Sequence, residues 1–274
     1  MHRRAVFCVS DHTGVTVEAL ARSILARYES IEWVYLVRSF VDTDAKAKAI
    51  AAEIVKVGER IGSRPIVFTT LINKSLEQHV DAADALVLNT FSAFVPALSE
   101  ELHAQPSRDI GTFHDISDSK GYQKRLDAVD FTLSTDDGVG LQHYDRADVI
   151  VIGVSRCGKT PTCLYLAMHY GVAAANYPLI DEDLDSPGLP EALIHHVDKL
   201  YALTIDPVRL HKIRQHRRPN SPYASQDRCT ADVNRAARIY RSMGLRPTDT
   251  TAVSIEEISA RIVKFMGLTD KPMV

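Results

Sequence analysis

Apolar and polar positions along this chain switch period again and again, and the switches mark strands and helices in alternation. Residues 4–9, RAVFCV, form a short apolar run that stops at SDHTG. From about Val15 to Tyr28 the apolar residues recur at helical spacing. IEWVYLVRSF (31–40) reads as a second strand region. TDAKAKAIAAEIVKVGER (43–60) reads as a helix rich in Ala, Lys and Glu. RPIVFTTL (64–71) is a strand again, and a helix, a short strand near 85–89 and another helix follow. Strands alternating with helices predict a mainly parallel sheet covered on both faces.

The period lapses at AQPSRDIGTFHDISDSKGYQKR (104–125), where Pro, Gly, Ser and Asp cluster. This places a connecting segment at 106–145, after an N-terminal α/β domain at 1–105 and before a second α/β domain at 146–274. The second domain is expected to run strand, helix (159–170), strand (172–179), helix (190–198), strand (199–206), basic segment (207–228), helix (230–243) and a last strand–helix pair (250–266). Ser254-Ile255-Glu256-Glu257 is a capping-box start for the final helix. The fold class is α/β, with a kinase-like second domain built on a phosphate-binding loop (P-loop).

That loop carries the chemistry. Gly153-Val154-Ser155-Arg156-Cys157-Gly158-Lys159-Thr160 reads G-x-x-x-x-G-K-T after the buried-strand pattern DVIVIGV. Its glycines let backbone N–H groups turn toward phosphate oxygens, and the following helix offers its positive end. Lys159 can reach the terminal phosphates, and the Thr160 hydroxyl can ligate Mg²⁺. Arg156 has two readings, a guanidinium that stabilises transferring charge or an ordinary exposed arginine. Asp206, closing LYALTID, is either the second metal ligand or a cap before Pro207. Asp136 or Asp137, on the TDDG turn ahead of the loop strand, can orient or deprotonate an acceptor hydroxyl. A nucleotide-dependent binding switch and a small-molecule kinase remain alternatives on residues alone. A GTPase is a poor reading, because Asn73-Lys74-Ser75 runs into Leu76 rather than completing N-K-x-D and lies on the wrong side of the loop. The H-R-D and D-F-G pair of protein kinases is absent.

Other motifs are less specific. RLHKIRQHRRPNSPYASQDR (209–228) carries six Lys or Arg and two His. It reads as a solvated helix face or a basic flap over phosphates. SDHTG sits at a strand-to-helix turn, where capping and anion binding look alike.

Composition narrows the class. The 274 residues are 45% hydrophobic and 24% charged, an ordinary globular balance. A net charge of −3 argues against nucleic acid and membrane surfaces as partners. No window offers the 18 or so apolar residues of a membrane span. Cys8, Cys157, Cys163 and Cys229 show no C-x-x-C spacing, which fits a reducing, cytoplasmic setting.

Several stretches together resemble one family over nearly the whole chain. They are VSDHTGVTVEAL, DDG (136–138), GVSRCGKTPTCLYLAMHYGVAAANYPLI (153–180), LTIDPVRL (203–210), YAS (223–225) and SIEEIS. The family is that of the phosphoenolpyruvate synthase and pyruvate, phosphate dikinase regulatory proteins. The G-K-T loop and AANYP point to its synthase-directed branch. His12 stands where members commonly carry glycine. The resemblance implies a bifunctional serine/threonine kinase and phosphorylase whose protein partner is phosphoenolpyruvate synthase (pyruvate, water dikinase). One activity would move the β-phosphate of ADP to a threonine of that enzyme and inactivate it. The other would remove it with inorganic phosphate, release pyrophosphate and restore activity. Residues 153–160 would then bind ADP, and a homodimer is compatible with the chain.

Overall fold

The computed structural model describes residues 2–106, 119–186 and 188–268. Two compact units divide the chain, Met1–Asp115 and Ile116–Val274, and each has its own four-stranded parallel sheet.

In the first unit the strands β1 (His2–Val9), β2 (Ile31–Arg38), β3 (Ile66–Thr69) and β4 (Leu86–Asn89) lie in the order β2-β1-β3-β4. Side-chain alternation along β1 splits the core into two layers. Ala5, Phe7 and Val9 pack with Ile50 and Ile54 of α2 (Asp44–Ile61) and with Leu76 and Val80 of α3 (Lys74–Asp81). Val6 and Cys8 pack with Val17, Ala21 and Leu25 of α1 (Val15–Leu25). A central strand buried on both faces must be apolar throughout, which is why RAVFCV shows no alternation. Burial also pushes the Cys8 thiol up to about 11, with the Glu18 carboxylate adding to the rise. The helix α4 (Thr90–Leu102) completes this unit.

In the second unit β5 (Val149–Val154), β6 (Ala174–Leu179), β7 (Leu200–Thr204) and β8 (Thr248–Asp249) are ordered β6-β5-β7-β8, with every pairing parallel. The loop strand β5 is fully buried. Its helices are α5 (Ser119–Ser134), α6 (Lys159–Tyr165), α7 (Asp181–Asp185), α8 (Pro207–Arg217), α9 (Gln226–Ser242) and α10 (Ile255–Phe265). Ser254 caps α10 through the Glu257 amide, as its motif predicts. The residues read as a helix at 190–198 form a 3₁₀ stretch, Glu191–Lys199.

Two stretches depart from the sequence reading. Within the expected connecting segment, residues 107–118 lie outside the described residues, but 119–134 form α5. Ala128 and Phe131 of α5 are buried, and the Thr132 hydroxyl donates to the Ala174 carbonyl of β6 at 2.9 Å. Few positions of α5 are buried, and apolar Leu126 and Leu133 face outward, so its apolar residues trace no clean helical stripe. The basic segment is also no flap, because α8 is anchored by Leu210 and Arg214, both buried.

Candidate functional site

The site is built at the carboxyl ends of β5 and β6. The loop after β5 turns through Arg156 (φ 76°) and Gly158 (φ 97°), both left-handed. Gly158 is the N-cap of α6 and supplies no side-chain cap, so the first amides of the helix are left for an anion. Such a succession of turned N–H groups forms a concave cradle for phosphate oxygens. Gly153 is required for a different reason. A Cβ there would lie 2.8 Å from the Leu203 carbonyl oxygen and 2.6 Å from Cys157 Sγ. Gly153→Ala should therefore push β5 from β7, costing about 1–3 kcal/mol and weakening nucleotide binding. A chemical-denaturation curve matching the unsubstituted protein would disprove this.

Lys159 is only 4% exposed, and its Nζ donates to the Val154 carbonyl at 3.1 Å. Its ammonium is thus held inside the loop's curve. Cys157 and Cys163 flank it, and burial pushes both thiols up, that of Cys163 well above its ordinary range. Both are poor nucleophiles and serve as packing.

Thr160 meets a carboxylate. Its hydroxyl donates to Asp136 Oδ1 at 2.8 Å, and Asn176 Nδ2 of β6 donates to the same oxygen and to Thr160 Oγ1 at 3.0 Å. Packing of α5 on β6 delivers the Asp136 turn to this place. Asn176 Oδ1 is buried and has no hydrogen-bond partner among the described residues, a costly state for an acceptor. Hydroxyl and carboxylate oxygens are the hard donors that Mg²⁺ takes, so Thr160 and Asp136 fit the ion, while Asn176 turns its Nδ2 toward them and positions them.

The remaining predicted residues stand outside this cluster of Lys159, Thr160 and Asp136. Asp206 follows β7 and is exposed; its carboxylate accepts from the Arg209 amide at 3.0 Å and caps α8. Among the described residues no hydrogen bond joins it to Thr160. Asp137 adopts φ 51° and lines a cleft of about 480 Å³ that also takes in Ser155 of the loop. Arg156 is exposed and makes no ion pair among the described residues.

A buttress behind the loop escaped the sequence reading. Arg214, 1% exposed, donates to the Ser155 carbonyl at 3.2 Å, to the Tyr223 carbonyl at 3.1 Å and to Asp232 at 2.8 Å. Its guanidinium lies 4.1 Å from the centre of the Tyr223 ring, and the Tyr223 hydroxyl donates to Ser155 Oγ at 2.8 Å. Nothing separates Arg214 from the other basic residues of 209–228 in sequence. Asn176 did leave a signal, an amide inside the buried strand VAAANYPL.

An α/β unit whose glycine-rich strand–helix turn holds a buried lysine, a threonine and a carboxylate has the architecture of a phosphate-handling protein. The chain belongs to the kinase/pyrophosphorylase family, which matches residues 6–263. A protein of Ectopseudomonas mendocina is 43% identical over 266 residues, covering 97% of this chain and 98% of its own. One from Pseudomonas aeruginosa is 42% identical, with 97% of both chains covered. One from Chromohalobacter salexigens is 45% identical over 269 residues, again with 97% of both covered. All three are named, provisionally, phosphoenolpyruvate synthase regulatory proteins. Among the described residues no helix is long and apolar enough to cross a membrane.

Proposed function

We propose that this protein regulates a phosphoenolpyruvate synthase by moving a phosphoryl group onto and off one of its threonines, as an ADP-dependent kinase and a phosphate-dependent phosphorylase. The relatives' names supply the target enzyme, and the family supplies the reaction type. The observation that carries the reading is the meeting of Lys159, Thr160 and Asp136 at the carboxyl end of β5.

In the forward sense the loop amides, Lys159 and Arg156 hold the phosphates of ADP. The target threonine enters from the cleft beside Ser155. Its oxygen bonds to the β-phosphorus, the bond from that phosphorus to the bridging oxygen breaks, and AMP leaves. Asp137, at the cleft wall, orients the hydroxyl and accepts its proton. In the reverse sense an oxygen of inorganic phosphate bonds to the phosphothreonine phosphorus. The threonine oxygen leaves, takes back the proton, and pyrophosphate departs. Thr160 and Asp136 would hold Mg²⁺, with Asn176 positioning both, and the ion would supply charge neutralisation on the nucleotide. In-line transfer of this kind depends mainly on positioning and electrostatics.

The test is to incubate the purified protein and Mg²⁺ with a bacterial phosphoenolpyruvate synthase primed with phosphoenolpyruvate or ATP. ADP or ATP is then supplied as donor and phosphopeptides are mapped by mass spectrometry. Phosphothreonine with ADP is expected. A stable complex with no modification under either nucleotide would replace this reading with a binding switch.

A further inference from the structure

The cleft beside the loop holds an arginine paired with an exposed carboxylate. Arg228 of α9 forms an ion pair through Nε with Asp232 at 2.9 Å, which keeps its guanidinium at the cleft. Its Nη2 pairs with Asp181 of α7. That carboxylate is 59% exposed, and the guanidinium is 34% exposed. Both residues line the cleft of about 480 Å³, together with Asp137, Ser155 and Tyr223. Exposed ion pairs contribute little, so the Asp181 carboxylate is readily exchanged. A phosphate monoester brings nearly two negative charges and a geometry that a guanidinium grips with two hydrogen bonds.

We propose that this cleft seats the protein-borne phosphothreonine, gripped by Arg228, and that Asp181 holds Arg228 in place until the phosphoryl group displaces it. The inference rests on the proposed function and assigns the second substrate a seat apart from the nucleotide's. Cleft size and wall favour a phosphothreonine over free phosphate, and its position favours transfer. The cleft is far larger than a phosphate ion. Pro178, Leu179, Ile180 and Leu184 give it an apolar wall suited to a threonine methyl and flanking peptide. Ser155 belongs both to the cleft and to the loop, so an occupant lies next to the loop's phosphates. The acidic run 181–185 thereby gains a purpose. Arg235 ties Asp185 to α9 at 2.6 Å, so α7 stays in place when Asp181 lets go.

Isothermal titration calorimetry on the full chain tests this, with N-acetyl-phosphothreonine amide, inorganic phosphate and ADP as separate ligands. Asp181→Asn removes the competing charge and should tighten phosphothreonine binding about two- to fivefold. A gain of affinity cannot arise from misfolding. Arg228→Gln should weaken it about tenfold or more, and both variants should bind ADP as the unsubstituted protein does. Phosphothreonine should bind more tightly than phosphate. The proposal is overturned if phosphothreonine does not bind, if Arg228→Gln leaves its affinity unchanged, or if phosphate binds as tightly. It is overturned too if Lys159→Ala abolishes phosphothreonine binding, which would put the anion on the loop. Failure of ADP to bind the unsubstituted protein would instead sink the proposed function, while the Arg228 and Asp181 results still decide the cleft.

Discussion

Lys159→Met should lower phosphoryl transfer in both directions by about 10²–10³-fold, the usual loss when one preorganised donor to a transferring phosphoryl group is removed. Methionine keeps the length and volume of the side chain, so the loop keeps its packing. Thermal stability should hold or rise, because the ammonium is nearly fully buried with the Val154 carbonyl as its one hydrogen-bond partner among the described residues and burial of a charge is costly. Lost activity with undiminished stability is the signature of a group placed for chemistry rather than for folding. Arginine should not rescue. Its planar fork cannot stand in for a compact ammonium in so enclosed a space. The measurement is a single-turnover assay of threonine phosphorylation and of pyrophosphate release, with a melting curve on the same preparation. Retention of more than a tenth of either activity would remove Lys159 from that reaction.

This loop was legible because its chemistry is local. Phosphate binding needs glycines, a lysine and a hydroxyl at fixed spacing within one strand–turn–helix, and all of them are consecutive in sequence. The alternation of buried strands and amphipathic helices was legible for the same reason. Residues whose roles depend on distant neighbours were less so. Asp136 and Thr160 are 24 positions apart, and only the packing of α5 on β6 brings them together. Asp206 offered the two readings of metal ligand and cap, and its bond to the Arg209 amide is that of a cap. Arg214 sits among five other cations in 209–228, and a hydrophilic stretch does not announce which one turns inward. What reveals Arg214 is Asp232, 18 residues on and on another helix. The α5 helix escaped because it buries few residues, and its polar majority has the composition of a linker.

Asp232→Ala should be the most destabilising single change in the second unit, costing about 3–5 kcal/mol. The asymmetry of the network is the reason. Asp232 is 3% exposed; one oxygen meets Arg214 at 2.8 Å and the other meets Arg228 at 2.9 Å. Removing this carboxylate leaves Arg214 as a buried cation whose remaining partners among the described residues are backbone carbonyls, the Tyr223 face and Cys229 Sγ. Arg214→Met should cost less, because Asp232 keeps Arg228. Arg214→Met combined with Asp232→Leu should recover most of the loss, since an apolar pair of similar volume carries no desolvation penalty. The double variant should nevertheless remain a poor enzyme. Ser155 would still lack the guanidinium that holds its carbonyl, and the cleft would lose the anchor of Arg228. Scanning calorimetry should show the Asp232→Ala transition roughly 10 °C lower, with the double variant close to the unsubstituted protein. If the double variant is no more stable than Asp232→Ala, an uncompensated charge is not what destabilises the single variant, and the buttress acts through shape alone.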